Sequence, residues 1–147
     1  MPLETVAGDN GLMGFKHYWE KHGLCASYSG KVKYTDLIKS RNSVFGDKRF
    51  DELKYKISDL RKVESLDASI DDLIRIAHYD YAASKSNKRI KFAIVTDNHE
   101  VEQLAHLYAA ECATLQTWSV EIFNSMEKAR TWLAEQLNQP EREIACY

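Results

Sequence analysis

Four consecutive apolar residues, Phe92-Ala93-Ile94-Val95, stand between two segments whose apolar residues recur at helical spacing. Before the run, Ile70, Leu73, Ile74, Ala77 and Tyr81 form a stripe over about residues 70–84. After it, Val101, Leu104, Ala105, Tyr108 and Cys112 form another over about 99–113. A strand without polar alternation has no solvated face, so both of its faces must be covered. A buried strand between two helices implies parallel strands joined by right-handed helical crossovers.

The flanking segments extend that pattern. FKHYWE, a turn at Lys21-His22-Gly23 and LCASYSG read as a hairpin over residues 14–30. A helix over 35–45 places Leu37, Ile38, Val44 and Phe45 on one face. Leu53, Tyr55 and Ile57 mark a buried strand over 53–60, followed by a charged crossover and a helix entered at Ser69. Ser119–Phe123 reads as a short strand and Met126–Leu137 as the last helix, with Ala129, Trp132 and Leu133 facing inward. The order is ββαβαβαβα: one α/β domain over residues 14–137, with a mixed five-stranded sheet and four helices. Residues 1–13 read as a flexible leader and 138–147 as a polar tail.

A length of 147 residues suffices for one ordinary core. The net charge of −2 gives no global footprint for nucleic acid, which demands clustered Lys and Arg. Cys25, Cys112 and Cys146 are scattered, without a disulfide or zinc spacing; Cys25 and Cys112 fall on apolar faces. Gly8, Gly11 and Gly14 follow no strand, so they are not a phosphate loop, and no cofactor is expected. No signal peptide, spanning segment or prenylation box is present, which points to the cytoplasm.

Asp47, Arg49, Phe50, Asp51, Leu53, Tyr55 and Asp59 in FGDKRFDELKYKISDL carry a family resemblance. Asn87, Arg89, the segment FAIVTD and the ending VEIFNSMEKARTWL extend it from about Phe15 to Leu137. The chain resembles the SpoIIAA-like family of STAS/SEC14-like domains, related to anti-anti-sigma factors and to CRAL-TRIO lipid-transfer domains. The resemblance implies a fold in which a serine opening the helix after the third strand accepts phosphate within a D-S-S-G run. Here DASI aligns Asp67 and Ser69 with that run, and Ile70 stands where the pattern has glycine. In lipid-transfer relatives the corresponding helices form the lid of an apolar cleft.

Asp59, Asp67 and Ser69 are expected around the carboxyl end of one strand, where α/β sheets gather ligands. Ser69 also has an ordinary role, because Ser69-x-x-Asp72 approaches a capping box. Asp59 and Asp97 both end predicted strands; a catalytic pair there is the enzymatic alternative, although no nucleophile motif accompanies them. His99, Glu102 and His106 share a helical stripe without the HExxH spacing, so no metal site is assigned. Ile76, Tyr79, Tyr81, Leu107 and Tyr108 exceed a single apolar stripe and are candidates to line a ligand pocket. Lys85, Lys88, Arg89 and Lys91 form a basic cluster suited to anionic headgroups.

Together these features lead to an expected non-enzymatic binding module for a lipid or other apolar molecule. Reversible association with the inner membrane surface would run through the basic cluster. The alternative is a phospho-regulated signalling module that docks a protein partner at the Asp67–Ser69 rim. Nucleic acid is not an expected partner, and the sequence sets no oligomeric state.

Overall fold

The computed structural model describes residues 4–7, as backbone, and 14–140. The strands are β1 (Glu4–Ala7), β2 (Phe15–Glu20), β3 (Gly23–Lys33), β4 (Tyr55–Asp67), β5 (Lys91–Val95) and β6 (Ser119–Phe123). The helices are α1 (Tyr34–Phe45), α2 (Ile70–Ser84), α3 (His99–Leu115) and α4 (Met126–Leu137). One sheet holds the strands in the order β1-β2-β3-β4-β5-β6. β1–β2 and β2–β3 pair antiparallel, and the remaining neighbours pair parallel. The mixed α/β order ββαβαβαβα is therefore present from Phe15 onward, with β1 as one strand more than the five read from sequence. Glu4–Ala7 falls inside the segment expected to be a leader. Four residues are too few to show a period, and the open edge of β2 supplies the pairing. Residues 141–147 of the expected tail, with Cys146, lie outside the described residues.

Because the strand order never reverses, right-handed crossovers through α1, α2 and α3 all fall on one sheet face. Two cores result. The larger joins Phe92 and Ile94 of β5 to Leu37, Leu73, Ile76 and Tyr108 of that helical layer. The smaller joins Ala93 and Val95 to Tyr55, Ile57 and the α4 residues Ala129 and Leu133. The FAIV run is thus buried on both faces, as its composition requires.

The charged stretch after Asp59 is strand, not loop. β4 runs for 13 residues, outreaches the five-residue β5, and continues beside β3 as far as Lys33↔Asp67. Charges at Arg61, Lys62 and Glu64 hide the strand in the sequence, while Val63 and Leu66 turn inward. Two register shifts interrupt the pairing of this arm with β3, where Gly30 takes φ 74, a left-handed value that a side chain resists. Leu53 is buried but precedes the strand, ending a short 3-10 turn over Lys48–Glu52.

Side-chain caps fix where the later helices start. Ser69, Asn98 and Ser125 accept the amides of Asp72, Val101 and Lys128 at 3.1 Å. On α2 the buried stripe is Leu73, Ile76, Ala77, Asp80 and Ser84, one step round from the stripe expected. Ile70 and Ile74 are consequently exposed, Ile70 at 58%.

Candidate functional site

A cavity of about 50 Å³ lies between the α1–α3 layer and the sheet. The sheet supplies Tyr28, Ser58, Leu60, Phe92 and Ile94, and the β4 arm adds Val63 and Leu66. From the helices come Leu37 and Arg41 of α1, Leu73 and Ile76 of α2, and Val101, Leu104, Ala105 and Tyr108 of α3. The lining follows β4 from Ser58 to Leu66, roughly 25 Å at about 3.3 Å per residue. Its polar members, Tyr28, Arg41, Ser58 and Tyr108, lie toward the middle of the sheet. Leu66 and Leu104, both half-buried, mark the end that reaches solvent.

The polar end is a closed network. Arg41 Nε and Nη2 donate to Asp80 Oδ1 and Oδ2 at 2.9 and 3.1 Å, and the Tyr108 hydroxyl donates to Asp80 Oδ2 at 2.5 Å. Burial opposes the Arg41 charge, but Asp80 beside it, with Tyr108 and Tyr28, more than offsets that and raises the guanidinium pKa. Burial next to Asp80 pushes the Tyr108 phenol well above its usual range, so it stays a donor.

Lys56 lies on the same sheet face, 4% exposed. Its ammonium faces the rings of Phe92, Trp118 and Phe45 at 4.6, 5.0 and 5.3 Å and forms no ion pair among the described residues. Burial lowers its pKa to about 8, with Asp80 opposing and Arg41 adding to the effect. His17 of β2, bonded through Nε2 to Ser40 Oγ at 2.7 Å, is likewise lowered to about 4, by burial and then by Lys56.

Ile76 and Tyr108, two of the five residues expected to line a pocket, do line the cavity. The other three do not. Tyr79 packs on Phe45 and hydrogen-bonds Asn42 at the outside of the layer. Tyr81 lies under the Lys85 ammonium at 4.4 Å, and Leu107 is 46% exposed. The rotation of the α2 stripe that turns Asp80 inward turns Tyr79 and Tyr81 away.

The expected rim divides into separate places. Asp59 and Asp67 are eight positions apart, roughly 25 Å along β4. Asp59 is buried and held by Arg61 Nε and Nη2 at 2.9 and 2.8 Å. Burial works against its charge, but those bonds prevail and its pKa falls. Asp97, two positions past the Asp59↔Val95 pair, is exposed. Asp67 ends the arm, and Ser69 forms the full capping box with Asp72, giving its own amide to Asp72 Oδ2 at 3.0 Å.

Lys85, Lys88, Arg89 and Lys91 gather where α2 ends and β5 begins. Arg89 is occupied there, donating to the carbonyls of Leu53 and Asp51 at 3.3 and 3.1 Å. Leu73 and Lys85 are twelve residues apart on α2, about 18 Å at 1.5 Å per residue, so the cluster and the cavity's outer end face different ends of the helix. On α3, His106 pairs with Glu102 at 3.5 Å in an open polar cleft with Asn124 and Lys128, while His99 meets Gln103 at 3.3 Å.

No protein-family model matches the chain, and no curated protein matches it in sequence. Among solved structures, one similar chain is an uncharacterised DUF3478-family protein from Shewanella loihica PV-4, described as having a SpoIIAA-like fold. The match has a TM-score of 0.49 and 16% identity, covering 81% of this chain and 91% of that one. The likeness is one of fold. No helix among the described residues is long and apolar enough to cross a membrane.

Sequence reading passed over Arg41, Lys56 and Asp80. Two of them carried a signal: Arg41 follows Leu37 by four and precedes Val44 by three, and Asp80 follows Ile76 by four. A charge on a buried stripe asks for a partner on a neighbouring helix. Lys56 carried none, since between Tyr55 and Ile57 it reads as an ordinary outward-facing residue.

Proposed function

We propose that this chain is a non-enzymatic binding module for an apolar ligand, a lipid chain or similar molecule, held between the α1–α3 layer and the β4 arm. The elongated apolar lining from Phe92 to Leu66, closed by polar groups at one end only, carries this reading. Exposed Ile70 and Ile74 extend apolar surface outward beside Leu73. Pockets for drug-sized ligands enclose about 300–1,000 Å³. A cavity of about 50 Å³ therefore admits a small apolar group as it stands, and a longer chain requires the helical layer to open further. Membrane contact through Lys85 and Lys88 is not part of this reading, because that cluster lies at the far end of α2. Partner docking at Ser69 is not favoured either, because its hydroxyl is committed to the cap.

Calorimetric titration of the purified chain with dodecanol tests the reading. Saturable one-to-one binding with a negative heat-capacity change is expected, and Leu104→Trp, which fills the outer end, should abolish it. Non-saturable heats, or binding untouched by Leu104→Trp, would remove the cavity as the site.

A further inference from the structure

The two sheet faces differ in how their buried charges are balanced. On the α4 face, Glu20 accepts Arg130 Nη1 and Nη2 at 2.6 and 2.8 Å, and Asp59 holds Arg61. Each carboxylate there meets one guanidinium. On the α1–α3 face, buried Arg41 and Lys56 share a single buried carboxylate, Asp80, among the described residues. Asp80 is already engaged by three donors, and the Lys56 ammonium faces aromatic rings without an ion pair among the described residues. A buried cation without a paired anion is costly, so this face carries an excess positive charge that a partner could neutralise.

The excess lies next to the cavity's polar end. Arg41 lines the cavity, and Lys56 packs on the ring of Phe92, which lines it too. Arg41 Nη1 reaches the Leu37 carbonyl at 3.4 Å, a long bond that leaves Nη1 able to donate to a better acceptor. The Tyr28 phenol interacts with Arg41, and Tyr28 and Ser58 both line the cavity. From there the wall is apolar to Leu66.

We infer that the ligand is an anionic amphiphile, a single carboxylate on an unbranched apolar chain, with its head at Arg41 and its charge balanced by Lys56. This rests on the cavity being an apolar-ligand site. The carboxylate accepts from the guanidinium edge and from Tyr28, while the chain follows the lining toward Leu66 and Leu104. Entry of the head restores on this face the one-to-one charge balance of the other.

Competition at neutral pH among lauric acid, methyl laurate and dodecanol separates this inference from the reading it rests on. Lauric acid is expected to bind at least about tenfold more tightly than its ester, the worth of a charge-assisted hydrogen bond. Lys56→Met keeps the size of the side chain while removing the charge, and should erase most of that preference without weakening dodecanol. Equal binding of acid, ester and alcohol would overturn the charge assignment and leave the apolar site standing. An acid preference that survives Lys56→Met would overturn the role of Lys56. Binding of none of the three would remove the site itself.

Discussion

Asp80 of α2 accepts Arg41 of α1 at 2.9 Å and Tyr108 of α3 at 2.5 Å. One fully buried carboxylate thereby fastens together the three helices that cover a single face of the sheet. Its partners Arg41 and Tyr108, and Ile76 one turn before it, line the cavity, so the same contact that orders the layer also borders the candidate site.

Removing that carboxylate should be far more damaging than removing the whole pair. Asp80→Ala leaves Arg41 buried without a counter-charge and is expected to cost about 3–5 kcal/mol. Tyr108→Phe, losing one bond to a charged acceptor, should cost about 1.5–3 kcal/mol. The double replacement Arg41→Met with Asp80→Leu should cost less than Asp80→Ala alone. Urea unfolding with unchanged m-values measures all three.

Lys56 is expected to oppose folding at neutral pH. Its folded pKa of about 8 lies below the ordinary value, so between these limits the unfolded chain binds more protons and stability rises with pH. Below about pH 8 both states are charged and the full burial cost is present. Lys56→Met should therefore be more stable than the parent by on the order of 3 kcal/mol at neutral pH, with the gap closing toward pH 10. Cys112, whose buried thiol is raised, acts with the opposite sign in the same range. It is common to both proteins, so the difference between their unfolding curves isolates Lys56.

Acid should act first through His17. Its folded pKa of about 4 lies below the unfolded value of 6.5, so the stability of the neutral ring is complete above pH 6.5 and is lost as pH falls toward 4. His17→Gln, which can still bond Ser40, should flatten the melting temperature across that window. The acid loss left in this variant should begin as pH falls through the ordinary aspartate range, where the unfolded chain takes up protons that Asp59, Asp47 and Asp72, held lower in the fold, do not.

Ser69→Ala should cost about 1 kcal/mol through the lost cap. Hydrogen exchange should quicken at the Asp72 amide, which loses its acceptor, and remain unchanged in α3. No exchange difference at Asp72 would mean the hydroxyl is not the cap.

Elements whose period was undisturbed were legible in the sequence. FAIV marked β5 within one residue, and the spacing of Val101, Ala105, Tyr108 and Cys112 marked the buried side of α3. The β4 arm was not legible, because Arg61, Lys62 and Glu64 around Val63 resemble a loop until β3 is seen beside them. At the site, Ile76 and Tyr108 line the cavity, whereas the rotated α2 stripe leaves Tyr79 and Tyr81 outside its lining and Leu107 is exposed on α3. Arg41 and Asp80 were readable only as a pair, and sequence spacing does not show that residues 39 positions apart face each other.

Methyl NMR of the chain titrated with dodecanol tests most directly whether the cavity takes an apolar ligand. Saturable shifts are expected at Leu66, Leu73, Ile76, Val101 and Leu104, with Ile57 and Leu133 on the α4 face unmoved. Shifts confined to exposed Ile70, Ile74 and Leu107, or none that saturate, would contradict it.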